Sequence, residues 1–89
     1  MPTAADVARW MVQEVERDGM LYQDEAAATI ADKFGEEFTY ENDNGNIAIR
    51  RDVLAEFRTL TQETVVWERG ERLWRKREKF DDKGKRQAD

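Results

Sequence analysis

The chain contains no cysteine and no histidine, and each absence excludes chemistry. Without thiols there is no disulfide, no zinc–thiolate centre and no cysteine nucleophile. Without imidazole the commonest general base and the commonest transition-metal ligand are both missing, which removes the Ser-His-Asp triad and nearly every catalytic zinc arrangement. Serine is absent too, and no glycine-rich phosphate loop occurs. No stretch approaches the roughly 20 apolar residues of a membrane-spanning helix, and the N-terminus shows no basic region followed by an apolar run. The expectation is a cytoplasmic, non-enzymatic protein with no cofactor and no metal.

Large apolar residues are also few. Apolar residues make up 39% of the 89, but ten of them are alanine, and Leu, Ile, Val and Phe total 17. That is just under the level of roughly 20% at which disorder has to be considered. Three features argue for a folded domain. The 15 basic and 20 acidic residues leave a net charge of only −5. Three Trp and two Tyr supply large buried area. The apolar positions are periodic rather than scattered. A second core would need roughly another 50 residues, so residues 1–80 are expected to form one domain. Residues 81–89 carry no large apolar anchor and predict a mobile charged tail.

Pro2 and Thr3, with Asp6 three positions on, have the pattern of a helix start. Val7, Trp10, Met11 and Val15 then recur at helical spacing up to Gly19, predicting a helix over 4–18 with a left-handed glycine cap. Met20 to Tyr22 reads as a short apolar link. Gln23, Asp24 and Glu25 suit a new first turn, and Ala26, Ala27, Ile30, Ala31 and Phe34 share one face, so a second helix is expected over 24–34. From Phe38 to Ile49 the apolar period shortens around Asn42-Asp43-Asn44-Gly45-Asn46, which predicts either a small hairpin or an ordered loop leading Ile47 and Ile49 inward. Val53, Leu54, Phe57 and Leu60 restore the helical period over 51–61. Thr64 to Trp67 and Leu73 to Lys76 are β-prone runs joined through Arg69-Gly70. They read as a hairpin with Gly70 at positive φ and a two- or three-residue loop, its register open.

The expected fold is α+β, mainly α, and winged-helix-like: three helices followed by a β-hairpin, which flank a common binding face. The link from Gly35 to Arg50 is far longer than the three or four residues of an ordinary helix-turn-helix.

Tyr40-Glu41-Asn42 with Gly45-Asn46, then Val53-Leu54 and Phe57, and finally Val66-Trp67-Glu68-Arg69 with Trp74-Arg75-Lys76-Arg77 carry a resemblance. Over residues 5–80 the chain resembles a family of small uncharacterised bacterial proteins, some encoded on integron gene cassettes. The resemblance implies a winged-helix-like fold and supplies no activity and no catalytic residue.

Charge is unevenly distributed, with 3 basic and 11 acidic residues in 1–47 but 12 basic and 9 acidic in 48–89. Arg50, Arg51, Arg58, Arg69, Arg72, Arg75, Lys76 and Arg77 all fall in the third helix or the last hairpin, where a winged-helix DNA reader carries its cations. Asp52, Glu56, Glu63, Glu68, Glu71 and Glu78 are interleaved with them, which favours a neutralised, solvated surface. Trp67 and Trp74 beside arginines suit either a protein hot spot or a base-stacking platform, and one of the two is expected to complete the core. The Asn-rich loop fails as a calcium loop, because Tyr40 and Arg51 stand where acidic ligands are required. Adjacent Asp24/Glu25 and Glu36/Glu37 diverge on a helix and make no acid/base pair.

The candidate interaction surface is therefore Arg51, Arg58, Gln62, Trp67, Arg69, Arg72, Trp74, Arg75 and Arg77. Its expected partner is a protein, a second copy of the chain included. Duplex DNA is the alternative, and no membrane and no small-molecule cofactor are expected.

Overall fold

Thr3 and Asp6 do form a reciprocal cap. The Asp6 N–H donates to Thr3 Oγ1 (3.2 Å) and the Thr3 N–H to Asp6 Oδ2 (2.9 Å), satisfying two donors that a helix start leaves unpaired. Helix α1 spans Ala4–Asp18, and Gly19 ends it at φ 83° with its N–H on the Val15 carbonyl (2.7 Å). The computed structural model describes residues 2–77 and the backbone of Gln87 and Ala88. The expected tail, 81–89, lies outside the described residues except for that dipeptide.

Met20–Tyr22 is strand β1 rather than a link. Helix α2 covers Gln23–Lys33, and it begins without a side-chain cap. The Gln23 N–H instead donates to the Arg72 carbonyl of the last hairpin (3.0 Å), so a distant loop satisfies a first-turn donor. Between α2 and the third helix lie a single 3-10 turn, Glu36–Phe38, and two short antiparallel strands, β2 (Thr39–Glu41) and β3 (Ile47–Ile49). The five-residue connection is organised by Asn42, whose Oδ1 accepts from the N–H groups of Asn44 and Asn46 (both 3.0 Å), with Gly45 at φ 81°. The hairpin thus forms. It buries Ile49 but leaves Ile47 51% exposed, so only one of the two isoleucines expected inward arrives there.

Helix α3, Arg51–Leu60, is clamped to this insert by Arg50. The Arg50 guanidinium grips both Asp52 oxygens, donates to the Glu37 carbonyl and lies 5.1 Å from the centroid of the Phe38 ring. Leu60, expected on the apolar face, sits at the open end of the helix, 47% exposed.

Strands β4 (Val65–Glu68) and β5 (Leu73–Lys76) form the last hairpin, and β1 pairs with β5 on its far side. Gln87–Ala88, strand β6, runs parallel to β4, giving the order β1-β5-β4-β6. The register Glu68↔Leu73 leaves a four-residue loop, Arg69-Gly70-Glu71-Arg72, not one of two or three. Its closing bond runs from the Arg72 N–H to the Glu68 carbonyl (2.8 Å), and Arg72 holds the left-handed conformation (φ 57°) expected of Gly70, which lies outside that region. In a loop closed this way the chain reverses at its last residue, so glycine at the second position is not needed for a positive φ.

The architecture is α+β, with three helices on one face of small sheets. Leu21, Trp74 and Trp67 occupy neighbouring rungs of the helix-facing side. There Leu21, Val65 and Trp74 join Val7, Met11 and Val15 of α1, Ala26, Ala27 and Ile30 of α2, Val53 and Phe57 of α3, and Phe38 and Ile49 of the insert in one core. Val66 and Leu73 lie on the other side of the sheet and are buried as well. Trp10, expected in the core, is half-buried at its edge, packed edge-on against Phe34 with centroids 5.8 Å apart. Among the described residues no helix is long and apolar enough to cross a membrane.

Candidate interaction surface

The nine residues singled out from the sequence do not share one face. Arg51 and Arg58 are exposed on α3, and their spacing of seven places them two turns apart on one stripe. Neither makes an ion pair among the described residues. Gln62 is exposed just past that helix and contributes its backbone carbonyl rather than its amide. Arg77 donates from its Nη2 to that carbonyl (3.2 Å) and from Nε to the Glu63 carbonyl (3.0 Å), which makes it a brace between the hairpin end and the connection before it. Arg75 is turned inward, its Nε 3.2 Å from Glu68 Oε2 across the strands. Arg69 and Arg72 are exposed in the four-residue loop. Two of the six arginines in that set, Arg75 and Arg77, are therefore engaged in holding the fold.

The two tryptophans are opposite one another in the β4/β5 register, centroids 5.0 Å apart and planes at 50°. Trp74 is buried, edge-on to Phe57 at 5.2 Å, whereas Trp67 is half-buried. One tryptophan completing the core and the other more open is the division expected from the sequence. Trp67 nonetheless packs against the core rather than standing free of it.

Trp67 and Trp74 form one wall of a groove of about 340 Å³ between α3 and the sheet. Leu54 and Phe57 supply the opposite wall, Val65 the floor, and Gln23 and Arg58 the polar edge. Because the Gln23 N–H is bonded to the Arg72 carbonyl, a second arginine without an ion pair among the described residues is anchored beside that edge. Leu54, Phe57 and Gln23 were not marked as site residues by the sequence, since apolar helix periodicity signals core and gives no sign of which core residue borders an opening.

A second concavity, about 550 Å³, lies at the opposite charge extreme of the molecule, between α2 and the β2–β3 hairpin. Ala28, Ala31, Tyr40 and Ile47 give its apolar lining, with Asp32, Glu36 and Glu41 around them and no basic side chain. Tyr40 is 45% exposed, and the three carboxylates make no ion pair among the described residues. No group of residues that could hold a metal ion occurs among those described.

No curated protein and no solved structure matches the chain. A model of a family of unknown function, DUF6953, matches residues 3–76, and the chain belongs to that family.

Proposed function

We propose that this protein is a small non-enzymatic interaction module that engages a protein partner through the groove between α3 and the β4–β5 hairpin. The observation that carries this reading is Trp67: a large aromatic side chain, half-buried, lining a groove of mixed polarity together with Trp74, Leu54 and Arg58. Tryptophan and arginine beside an apolar pocket are the residues in which binding energy concentrates at protein interfaces. The order α1, β1, α2, α3, β4, β5, with β1 closing the free side of the hairpin, supports a winged-helix-like arrangement in which the third helix and the wing border this groove. The β2–β3 insert accounts for the long link between the second and third helices.

The test compares wild-type protein with Trp67→Ala in affinity capture, with a thermal melt of each. A protein recovered by wild type and lost by a folded Trp67→Ala supports the groove. Capture that is indifferent to Trp67 places the interaction elsewhere.

Duplex DNA is a second reading, favoured by the Arg51/Arg58 stripe without ion pairs. Counterion release makes any such complex weaken steeply from low to physiological salt. A gel shift at low salt with mixed-sequence duplex decides it, since no complex at tens of micromolar protein, roughly the weakest range of nonspecific binding, removes the reading.

A further inference from the structure

We propose that the groove's partner is a second copy of this chain, whose β2–β3 hairpin, with Tyr40 and Ile47 leading and Glu36 and Glu41 beside them, seats against Trp67 and the Arg51/Arg58 stripe. This rests on the groove described above and assigns its occupant.

Two surfaces on one molecule carry charges of opposite sign beside exposed apolar side chains. One is an opening lined by aromatic rings and by Arg58, which has no ion pair among the described residues and shares a helix stripe with Arg51. The other exposes two large apolar side chains, Tyr40 at 45% and Ile47 at 51%, among carboxylates that likewise have no ion pair among the described residues. Exposed aromatic and branched aliphatic side chains gain by leaving water, while opposite charges around them steer the encounter and fix its register. The same asymmetry holds for the chain as a whole, with 3 basic and 11 acidic residues in 1–47 against 12 and 9 in 48–89.

Each copy carries both surfaces, and the proposed arrangement is two-fold: two copies make the contact twice, hairpin to groove and groove to hairpin, rather than building an open head-to-tail chain. A standard interface takes about 800 Å² from each partner, a sizeable share of the 6013 Å² on this chain. Because the contact pairs opposite charges at an exposed surface, the complex is expected to weaken as salt rises.

Charge reversal tests the occupant without assuming which cation meets which carboxylate. Arg51→Glu with Arg58→Glu makes both surfaces acidic, and Glu36→Lys with Glu41→Lys makes both basic. All four positions are exposed, and thermal melts confirm that each variant is folded. In sedimentation velocity the wild type should dimerise, and each variant alone should lose self-affinity by about tenfold or more. An equimolar mixture of the two should regain a one-to-one complex, because every like-charged contact then becomes an opposite one. Adding Ile47→Asp to the second variant should weaken that recovery, because it spoils one of the two contacts. A wild type that stays monomeric to about 100 µM, variants that self-associate like wild type, or a mixture that fails to associate each overturns the proposal. If the mixture fails while Trp67→Ala still loses a captured protein, the groove stands and only its occupant is wrong.

Discussion

The consequences of side-chain position are sharpest at the facing tryptophans. Trp74 is 9% exposed and packed on Phe57, so Trp74→Ala removes a buried ring from a small core and should cost about 3–5 kcal/mol in urea unfolding. Trp67 keeps one side open to the groove, and Trp67→Ala should cost well under half as much while removing association. Equal large losses would mean that both rings are core and that no binding wall exists. Which ring is buried was not legible in the sequence, because the answer depends on strand register, and the register is set by a four-residue loop whose left-handed residue is an arginine. The arginines pose the same problem. Sequence shows that Arg50, Arg75 and Arg77 are cations of the right elements, but the Glu37 carbonyl, Glu68 and the Gln62 and Glu63 carbonyls that they meet become neighbours only through folding.

For whole elements, local signals sufficed wherever the chain announces its own ends. Thr3 and Asp6 cap α1, Gly19 stops it, and the predicted boundaries 4–18 coincide with those observed. Thr3→Ala should therefore lower stability by about 1 kcal/mol, measured as a shift in the denaturant midpoint. Strand β1 escaped notice because three residues display no period, and it exists through its pairing with β5. The last hairpin's loop makes a more pointed prediction. Arg72→Gly should stabilise the domain by roughly 0.5–1 kcal/mol by relieving a left-handed non-glycine residue. Gly70→Ala meets no atom within 4 Å and needs no positive φ, so it should be neutral or slightly stabilising. Gly45→Val, at φ 81°, should instead lose about 1–2 kcal/mol. The reverse order for Gly70 and Gly45 would show that the two turns have been assigned the wrong conformations.

At the scale of the whole molecule, stability should respond to pH on the acid side alone. With no histidine and no cysteine, no side chain has an ordinary titration between about pH 5 and 9, and melting temperature should be nearly flat from about pH 6 to 9. Three aspartates are held below their ordinary value of 3.8 in the folded chain: Asp6 by the Thr3 N–H and hydroxyl and then by Arg9, Asp18 by Arg17, and Asp52 by Arg50. A carboxylate with a depressed folded pKa binds its proton more readily in the unfolded chain. Its contribution is thus complete above 3.8 and is lost as pH falls through the lower folded value. All three are solvent-exposed, so each effect is small and screened by salt. Asp52 is the most informative of them, because its pairing with Arg50 fastens the β2–β3 insert to the start of α3. Asp52→Asn should lower the melting temperature near neutral pH and make the descent below about pH 4 shallower, since the variant has already lost what the acid removes. An acid limb as steep in Asp52→Asn as in wild type would mean that the Arg50–Asp52 pair contributes nothing to the folded state, and that the insert is held by the burial of Phe38 and Ile49 and by the contacts of Arg50 with the Glu37 carbonyl and the Phe38 ring.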